Sequence, residues 1–233
     1  MIVEIIGLAG AGKSTLSTTL SKCTDQVILE TYPFYRRTEN ISFFVRNIFL
    51  FLPSMLRIYL LKDGRYPSWE QLVSMVILNG WYRVLNQRAF KEDKIYILDQ
   101  GPVYMLVELT LFGPERIKQS NVELWWDHAF RNWAETIDLV IWLDASLPII
   151  VERIRSREIW HSVKDRSDDD AYQYLEFYRR AYESVISRLM TCSTTLKVLR
   201  LDTGQNSLKE TVEKVVNELR HEGGQFKSQE NNC

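Results

Sequence analysis

The sequence predicts an α/β fold built on a parallel sheet, and three observations predict it. Short apolar runs of strand character alternate with stretches of helical spacing along the whole chain. The first run, Ile2-Val3-Glu4-Ile5-Ile6, leads directly into Gly7-Leu8-Ala9-Gly10-Ala11-Gly12-Lys13-Ser14-Thr15. That segment fits G-x-x-x-x-G-K-[ST] with a strand before it and the helical pattern Leu16-Ser17-Thr18-Thr19-Leu20 after it. Finally, several runs end in a carboxylate, at the strand end where open α/β sheets bind their ligands.

The glycine-rich segment is a phosphate-binding loop, and each residue type has its reason. Gly7, Gly10 and Gly12 open backbone angles closed to other residues, so the N–H groups from Gly7 through Ala9 and Ala11 to Thr15 can wrap an anion. The helix starting near Lys13 adds its unpaired donors and the positive end of its dipole. Lys13 is expected on the β- and γ-phosphates, and the Ser14 hydroxyl on Mg²⁺. Nucleotide binding is the expectation that follows.

Composition narrows the classes of function. The 233 residues, 45% of them hydrophobic, suffice for one α/β domain, expected over residues 1–220 with a disordered polar tail over 221–233. A formal net charge of −1, with no recurring block of Lys and Arg, argues against a nucleic-acid partner. Cys23, Cys192 and Cys233 lack metal-ligand spacing and read as reduced thiols of a cytoplasmic protein. No leader sequence is expected, because the first strand begins at Ile2.

The elements follow in order. A first helix ends near Lys22, and Gln26-Val27-Ile28-Leu29-Glu30 is the second strand. Glu30 closes it and is the candidate general base for an acceptor hydroxyl. Residues 41–62 form an apolar insert, interrupted by Arg46, Asn47, Pro53 and Arg57, so a transmembrane helix is not expected. Packing on the sheet is the first expectation for this insert; a greasy acceptor pocket and a membrane-surface contact stay open beside it, as does a homodimer. Arg36 and Arg37 upstream are candidates for an anionic acceptor. Ser68 caps the next helix, on which Asn79 and Arg83 share a face and are candidates to line the acceptor site.

The strand Lys94-Ile95-Tyr96-Ile97-Leu98 ends in Asp99, placed to support Mg²⁺. A mostly helical segment from Tyr104 to Ala134 breaks at Gly113-Pro114, and its Trp125, Trp126 and Trp133 read as core. The run Asp138 to Asp144 is the fourth strand, and Ser146 with Pro148 starts a helix bearing Arg153 and Arg157. With Arg166 these form a cationic lid over about 153–168. Asp168-Asp169-Asp170 is expected to cap the following helix. Leu196 to Asp202 is the fifth strand, and Ser207-x-x-Glu210 is a capping box for the last helix.

In this order the parts resemble the thymidylate kinase and deoxynucleoside kinase branch of the phosphate-loop (P-loop) kinases. The resemblance rests on Gly7 to Thr15, Glu30, Asp99, Leu143-Asp144-Ala145-Ser146-Leu147-Pro148, the Arg153/Arg157 helix, Asp165-Arg166 and Leu201-Asp202-Thr203-Gly204. It implies the P-loop NTPase fold, with five parallel strands in order 2-3-1-4-5 and helices on both faces. It also implies a lid donating Arg153, Arg157 and Arg166, and an adenine-contacting turn at Asp202 and Thr203. ATP and Mg²⁺ are then the expected cofactors, with a nucleoside or nucleoside monophosphate as acceptor. One departure bears on the acceptor: the branch carries an arginine after the acidic residue of the third strand, and this chain has Asp99-Gln100. A sugar, antibiotic-like or cell-envelope acceptor therefore stays open, as does a nucleotide-binding switch with weak turnover.

Overall fold

The computed structural model describes residues 1–31, 41–60, 64–92, 94–119 and 122–223. Five parallel strands, β1 (Ile2–Ile6), β2 (Val27–Thr31), β3 (Ile95–Asp99), β4 (Leu139–Asp144) and β5 (Lys197–Asp202), stand in the order β2-β3-β1-β4-β5. The order is the one the resemblance implies. The helices are α1 (Lys13–Cys23), α2 (Ile41–Leu60), α3 (Trp69–Glu92), α4 (Pro102–Phe112), α5 (Glu123–Ala134), α6 (Leu147–Ser156), α7 (Asp168–Cys192) and α8 (Leu208–Gly223).

β1 is the central strand, paired with β3 through Ile5–Asp99 and with β4 through Ile5–Ile141. Strand alternation divides its side chains between two cores. Val3 and Ile5 meet Leu16 and Leu20 of α1 and Val215 and Leu219 of α8. Ile2 and Ile6 meet Trp81 of α3, Met105 of α4, Trp133 of α5 and Tyr182 of α7. The expected tryptophan core is borne out, since Trp125, Trp126 and Trp133 are all buried.

Local signals fix several helix starts. Ser68 and Gln71 exchange hydrogen bonds at the head of α3, and Ser207 and Glu210 do so at α8. At α7 the cap is Ser167, whose Oγ accepts from the Asp170 N–H, so the three aspartates fill the first turn instead of capping it. α4 has no capping side chain of its own, because its N-cap is Gly101. Glu4, reaching across from β1, accepts from the Val103 and Tyr104 N–H groups at 2.9 and 3.2 Å. Burial overcomes these bonds and pushes the Glu4 pKa up to about 8. Glycine at 101 is a requirement of this arrangement, since a Cβ there would lie 2.9 Å from Glu4 Cδ and from Leu98 Cβ.

The insert departs from its first expectation. α2 is one helix, Pro53 included, and it packs on α3 instead of the sheet. The reason is that α3 already occupies that face, burying Met75, Ile77, Leu78 and Trp81. Among the described side chains of α2, those of Asn47, Phe51 and Ile58 are buried. Arg116 anchors its far end, donating to the Ile58 and Gly64 carbonyls at 3.1 and 2.6 Å, where a cation favours the helix C-terminus. No helix among the described residues is long and apolar enough to cross a membrane.

Three further expectations meet the structure here. α8 runs to Gly223, so residues 221–223 are helical and not tail. Cys192 is a free thiol, but Cys23 is disulfide-bonded, which corrects the expectation of reduced thiols throughout. Arg36, Arg37 and residues 224–233 lie outside the described residues.

Gly101→Ala is expected to displace Glu4 or Leu98 and to cost about 1–3 kcal/mol, read as a lower denaturation midpoint at unchanged slope.

Candidate functional site

The site lies where β1 turns into α1, at the carboxyl edge of the sheet. Gly7, Gly10 and Gly12 all have positive φ, at 140°, 87° and 97°. Gly7 is the tightest point, where a Cβ would stand 2.2 Å from the Leu143 carbonyl oxygen of β4. The turn closes with the Ala11 N–H donating to the Leu8 carbonyl at 3.1 Å, leaving the following N–H groups at the head of α1 facing outward. The loop from Gly7 through Ala9 and Ala11 to Thr15 thus has the form expected of an anion cradle.

Lys13 curls back over this loop and donates to the Gly7 and Leu8 carbonyls at 2.8 and 3.0 Å. Burial of its ammonium, helped by nearby Arg157 and opposed by Asp99, lowers its pKa to about 8. On the next turn the Ser14 hydroxyl donates to Asp99 Oδ2 at 3.2 Å. Asp99 reaches it because β3 pairs with β1 in register at Ile5. A hydroxyl and a carboxylate beside a phosphate cradle are hard oxygen donors of the kind Mg²⁺ takes, with phosphate and water completing its octahedron. Their chemistry fits the ion, and among the described residues no group of three or more His, Cys, Asp or Glu side chains makes a separate metal site.

Two cavities flank the loop. One, of about 330 Å³, is lined by Gly10, Gly12, Thr15, Arg153, Arg157, Thr203 and Asn206. Of the turn expected to contact adenine, Thr203 lines this cavity and Asp202 does not. Asp202 Oδ1 accepts from the Gly204 N–H at 2.7 Å, and the Thr203 N–H donates to the Asp144 carbonyl at 2.8 Å. The other cavity, of about 240 Å³, lies past Lys13 and is lined by Leu8, Gln100, Tyr104, Glu108, His161, Tyr174 and Tyr178.

The lid arginines have different surroundings. Arg153 donates to the Thr203 hydroxyl and carbonyl at 2.9 and 2.8 Å and to the Gly10 carbonyl at 3.4 Å, tying the phosphate loop to the Thr203 turn. Arg157 faces the first cavity, with no hydrogen bond or ion pair to its guanidinium among the described residues. Arg166 stacks on the Tyr174 ring at 4.3 Å and donates to the Ser162 carbonyl. Arg155, the neighbour on α6, pairs with Asp168 at 2.6 Å.

Glu30 is not brought to either cavity. It is 2% exposed, on the α3 side of the edge strand β2, and faces Arg88 at 3.4 Å. Its strand position is one step before the Thr31–Asp99 pair. Asn79 and Arg83 line neither cavity, and Arg83 is turned to solvent against the Tyr82 ring and hydroxyl.

The sequence analysis missed the second cavity's chemistry. Glu108 hydrogen-bonds with Tyr104 and Tyr178, and burial raises its pKa against those bonds. His161 is pushed down by burial and by the charges of Lys13, Arg157 and Arg166, which favours its neutral form at pH 7. The available signal was the pairing at i and i+4, Tyr104 with Glu108 on α4 and Tyr174 with Tyr178 on α7.

No family model and no curated protein matches the chain. Solved structures do match. Thymidylate kinase from Candida albicans aligns with a TM-score of 0.55 at 14% identity, over 97% of this chain and 95% of that one. Deoxyadenosine kinase from M. mycoides with bound dATP gives 0.50 at 20% identity, over 94% of this chain and 100% of that one. The same enzyme with dCMP and dCDP gives 0.51 at 20% identity, over 95% and 100%. At these identities the likeness establishes the P-loop kinase fold.

A bound phosphate chain stabilises charged Lys13, so binding takes up a proton once pH exceeds the free-state value of about 8. Affinity for a nucleoside triphosphate, measured calorimetrically, is expected to be flat from pH 7 to 8. Above that it falls by up to about tenfold per pH unit, and Lys13→Ala is expected to bind weakly without this pH dependence.

Proposed function

We propose that the protein is an ATP- and Mg²⁺-dependent kinase acting on a nucleoside or nucleoside monophosphate. The observation that carries this reading is the pair of cavities flanking one phosphate loop, one against Leu8, Ala9 and Lys13 and the other against Gly10, Ala11, Gly12 and Thr15. Phosphoryl transfer needs that layout, with donor and acceptor held in line across the transferring group. The solved structures support the acceptor class, since one neighbour is a thymidylate kinase and the other a deoxyadenosine kinase.

In this reading the adenosine end of ATP lies along Thr203 and Asn206, with its phosphates in the loop from Gly7 to Thr15. Lys13 leaves the Gly7 and Leu8 carbonyls for the γ-phosphate. Mg²⁺, held by Ser14 and Asp99, neutralises phosphate charge when bound. Arg157 and Arg166 supply further positive charge as the lid closes, and Arg153 keeps the loop and the Thr203 turn in register. The acceptor enters past Gln100, Tyr104 and Glu108. Glu30 is kept as the proposed base for its hydroxyl, although it lines neither cavity and faces Arg88, so reaching the acceptor requires it to leave that arginine. A cytoplasmic location goes with ATP as donor.

A second reading keeps the chemistry and changes the acceptor to a non-nucleotide molecule. The observation favouring it is Gln100, which stands in the acceptor cavity after Asp99 where the related branch carries arginine.

The test is ADP release with ATP and Mg²⁺ over a panel of nucleosides, nucleoside monophosphates and sugars, with Lys13→Ala as the blank. Stimulation by one nucleoside or monophosphate is expected, and stimulation by a sugar alone would replace the first reading with the second. No stimulation by any member would point to the switch with weak turnover. Glu30→Gln is expected to lower kcat by roughly 10²–10⁴-fold with ATP affinity retained; an unchanged rate would leave Glu30 a structural role beside Arg88 and overturn its assignment as base.

A further inference from the structure

The outer face of α2 is the largest feature that phosphate transfer leaves unused. Val45, Ile48, Phe49, Leu52, Leu56, Tyr59 and Leu60 are all exposed, Phe49 at 70% and Leu60 at 78%. At 100° per residue these side chains fall within an arc of about 120°, and the buried Asn47, Phe51 and Ile58 lie on the other side of the helix. The stripe therefore runs from Val45 to Leu60, about 24 Å of helix. It continues past the helix end, where the half-exposed Tyr59 and Tyr66 rings stack at 5.1 Å and the Trp69 ring stands 74% exposed.

A free apolar stripe of this length on a water-facing helix requires a partner. Its border identifies one. Arg46 and Arg57, both exposed, lie about 20° apart just outside one edge of the stripe, with the exposed Leu50 about 20° further round, and the helix carries no carboxylate. An antiparallel two-fold pairing of two copies through this stripe would set four guanidinium groups along one border, where like charges repel. An anionic headgroup layer offers the opposite charge to the arginines and acyl chains to the stripe. Tyr59, Tyr66 and Trp69 are of the residue types that settle at such a boundary, with an apolar ring and a polar edge. The helix is unsuited to cross a bilayer and suited to lie in its surface.

We propose that α2 is an in-plane membrane-docking helix that seats the protein on anionic phospholipid through its Phe49 and Leu56 face, with Arg46 and Arg57 at the headgroups. The inference is independent of which acceptor the kinase uses.

The test is co-sedimentation of the full chain with vesicles of phosphatidylcholine alone and of phosphatidylcholine with phosphatidylglycerol, at low and high salt. Binding to the anionic vesicles, weakened by salt, is expected. Arg46→Gln and Arg57→Gln, at exposed positions where folding is not at stake, are each expected to lower the partition coefficient roughly fivefold, equivalent to about 1 kcal/mol. Phe49→Glu with Leu56→Glu is expected to remove at least tenfold while the melting temperature holds. Absence of binding to either vesicle would overturn the proposal, and so would binding that ignores both pairs of substitutions. A wild-type dimer that the Phe49/Leu56 variant turns into a monomer, with no vesicle binding, would assign the stripe to a second copy instead.

Discussion

The structure depends on how little room remains at the carboxyl end of β1. Gly7 turns the chain so close to β4 that a single Cβ would strike the Leu143 carbonyl, and a Cβ at Gly101, at the head of α4, would lie 2.9 Å from Glu4 Cδ. These two approaches place the head of α1 and the end of β3 side by side. The Ser14 hydroxyl and the Asp99 carboxylate meet as a result. The phosphate loop, Ser14 and Asp99 are positioned by this packing of central strands.

Burial at that junction has an electrostatic counterpart. Glu4 and Lys13 lie on either side of Asp99, one a carboxyl pushed up to about 8 and the other an ammonium brought down to about 8, both chiefly by loss of water. Lys13 is held by the Gly7 and Leu8 carbonyls and carries no hydrogen bond to a carboxylate among the described residues. An arriving polyanion completes an environment that folding leaves incomplete, as expected of a binding site that is preorganised but strained in charge.

How much of this was legible in the sequence follows from the range of the interactions. The phosphate loop, the five strands and the capping boxes at Ser68 and Ser207 are local patterns, and they stand where the residues indicated. Asp99 was legible because a strand ending in a carboxylate needs only its register to reach the loop. The second cavity was not, because Glu108 and Tyr178 come from helices α4 and α7, which lie far apart in sequence and adjoin only in the folded chain. The three lid arginines looked alike in sequence, and their difference arises from what each meets: Thr203 for Arg153, the open cavity for Arg157, an aromatic face for Arg166. α2 misled for a similar reason. Its apolar residues suggested the sheet, but α3 had already taken that surface, and a hydrophobic pattern cannot report which neighbour arrives first.

The grip of Arg153 on Thr203 and Gly10 divides α6 mechanically. Up to that arginine the helix is fastened to the floor of the site and moves with it. Beyond Ser156 the chain leaves the helix, and Arg157 adopts an extended backbone with its guanidinium unattached among the described residues. The pivot of any closing motion therefore falls at the Ser156–Arg157 junction, and the swinging arm is the stretch from there to Ser167, where the cap of α7 fastens the chain again. If this stretch acts as the proposed lid, an arm anchored at both ends travels only a small distance and carries Arg157 and Arg166 together.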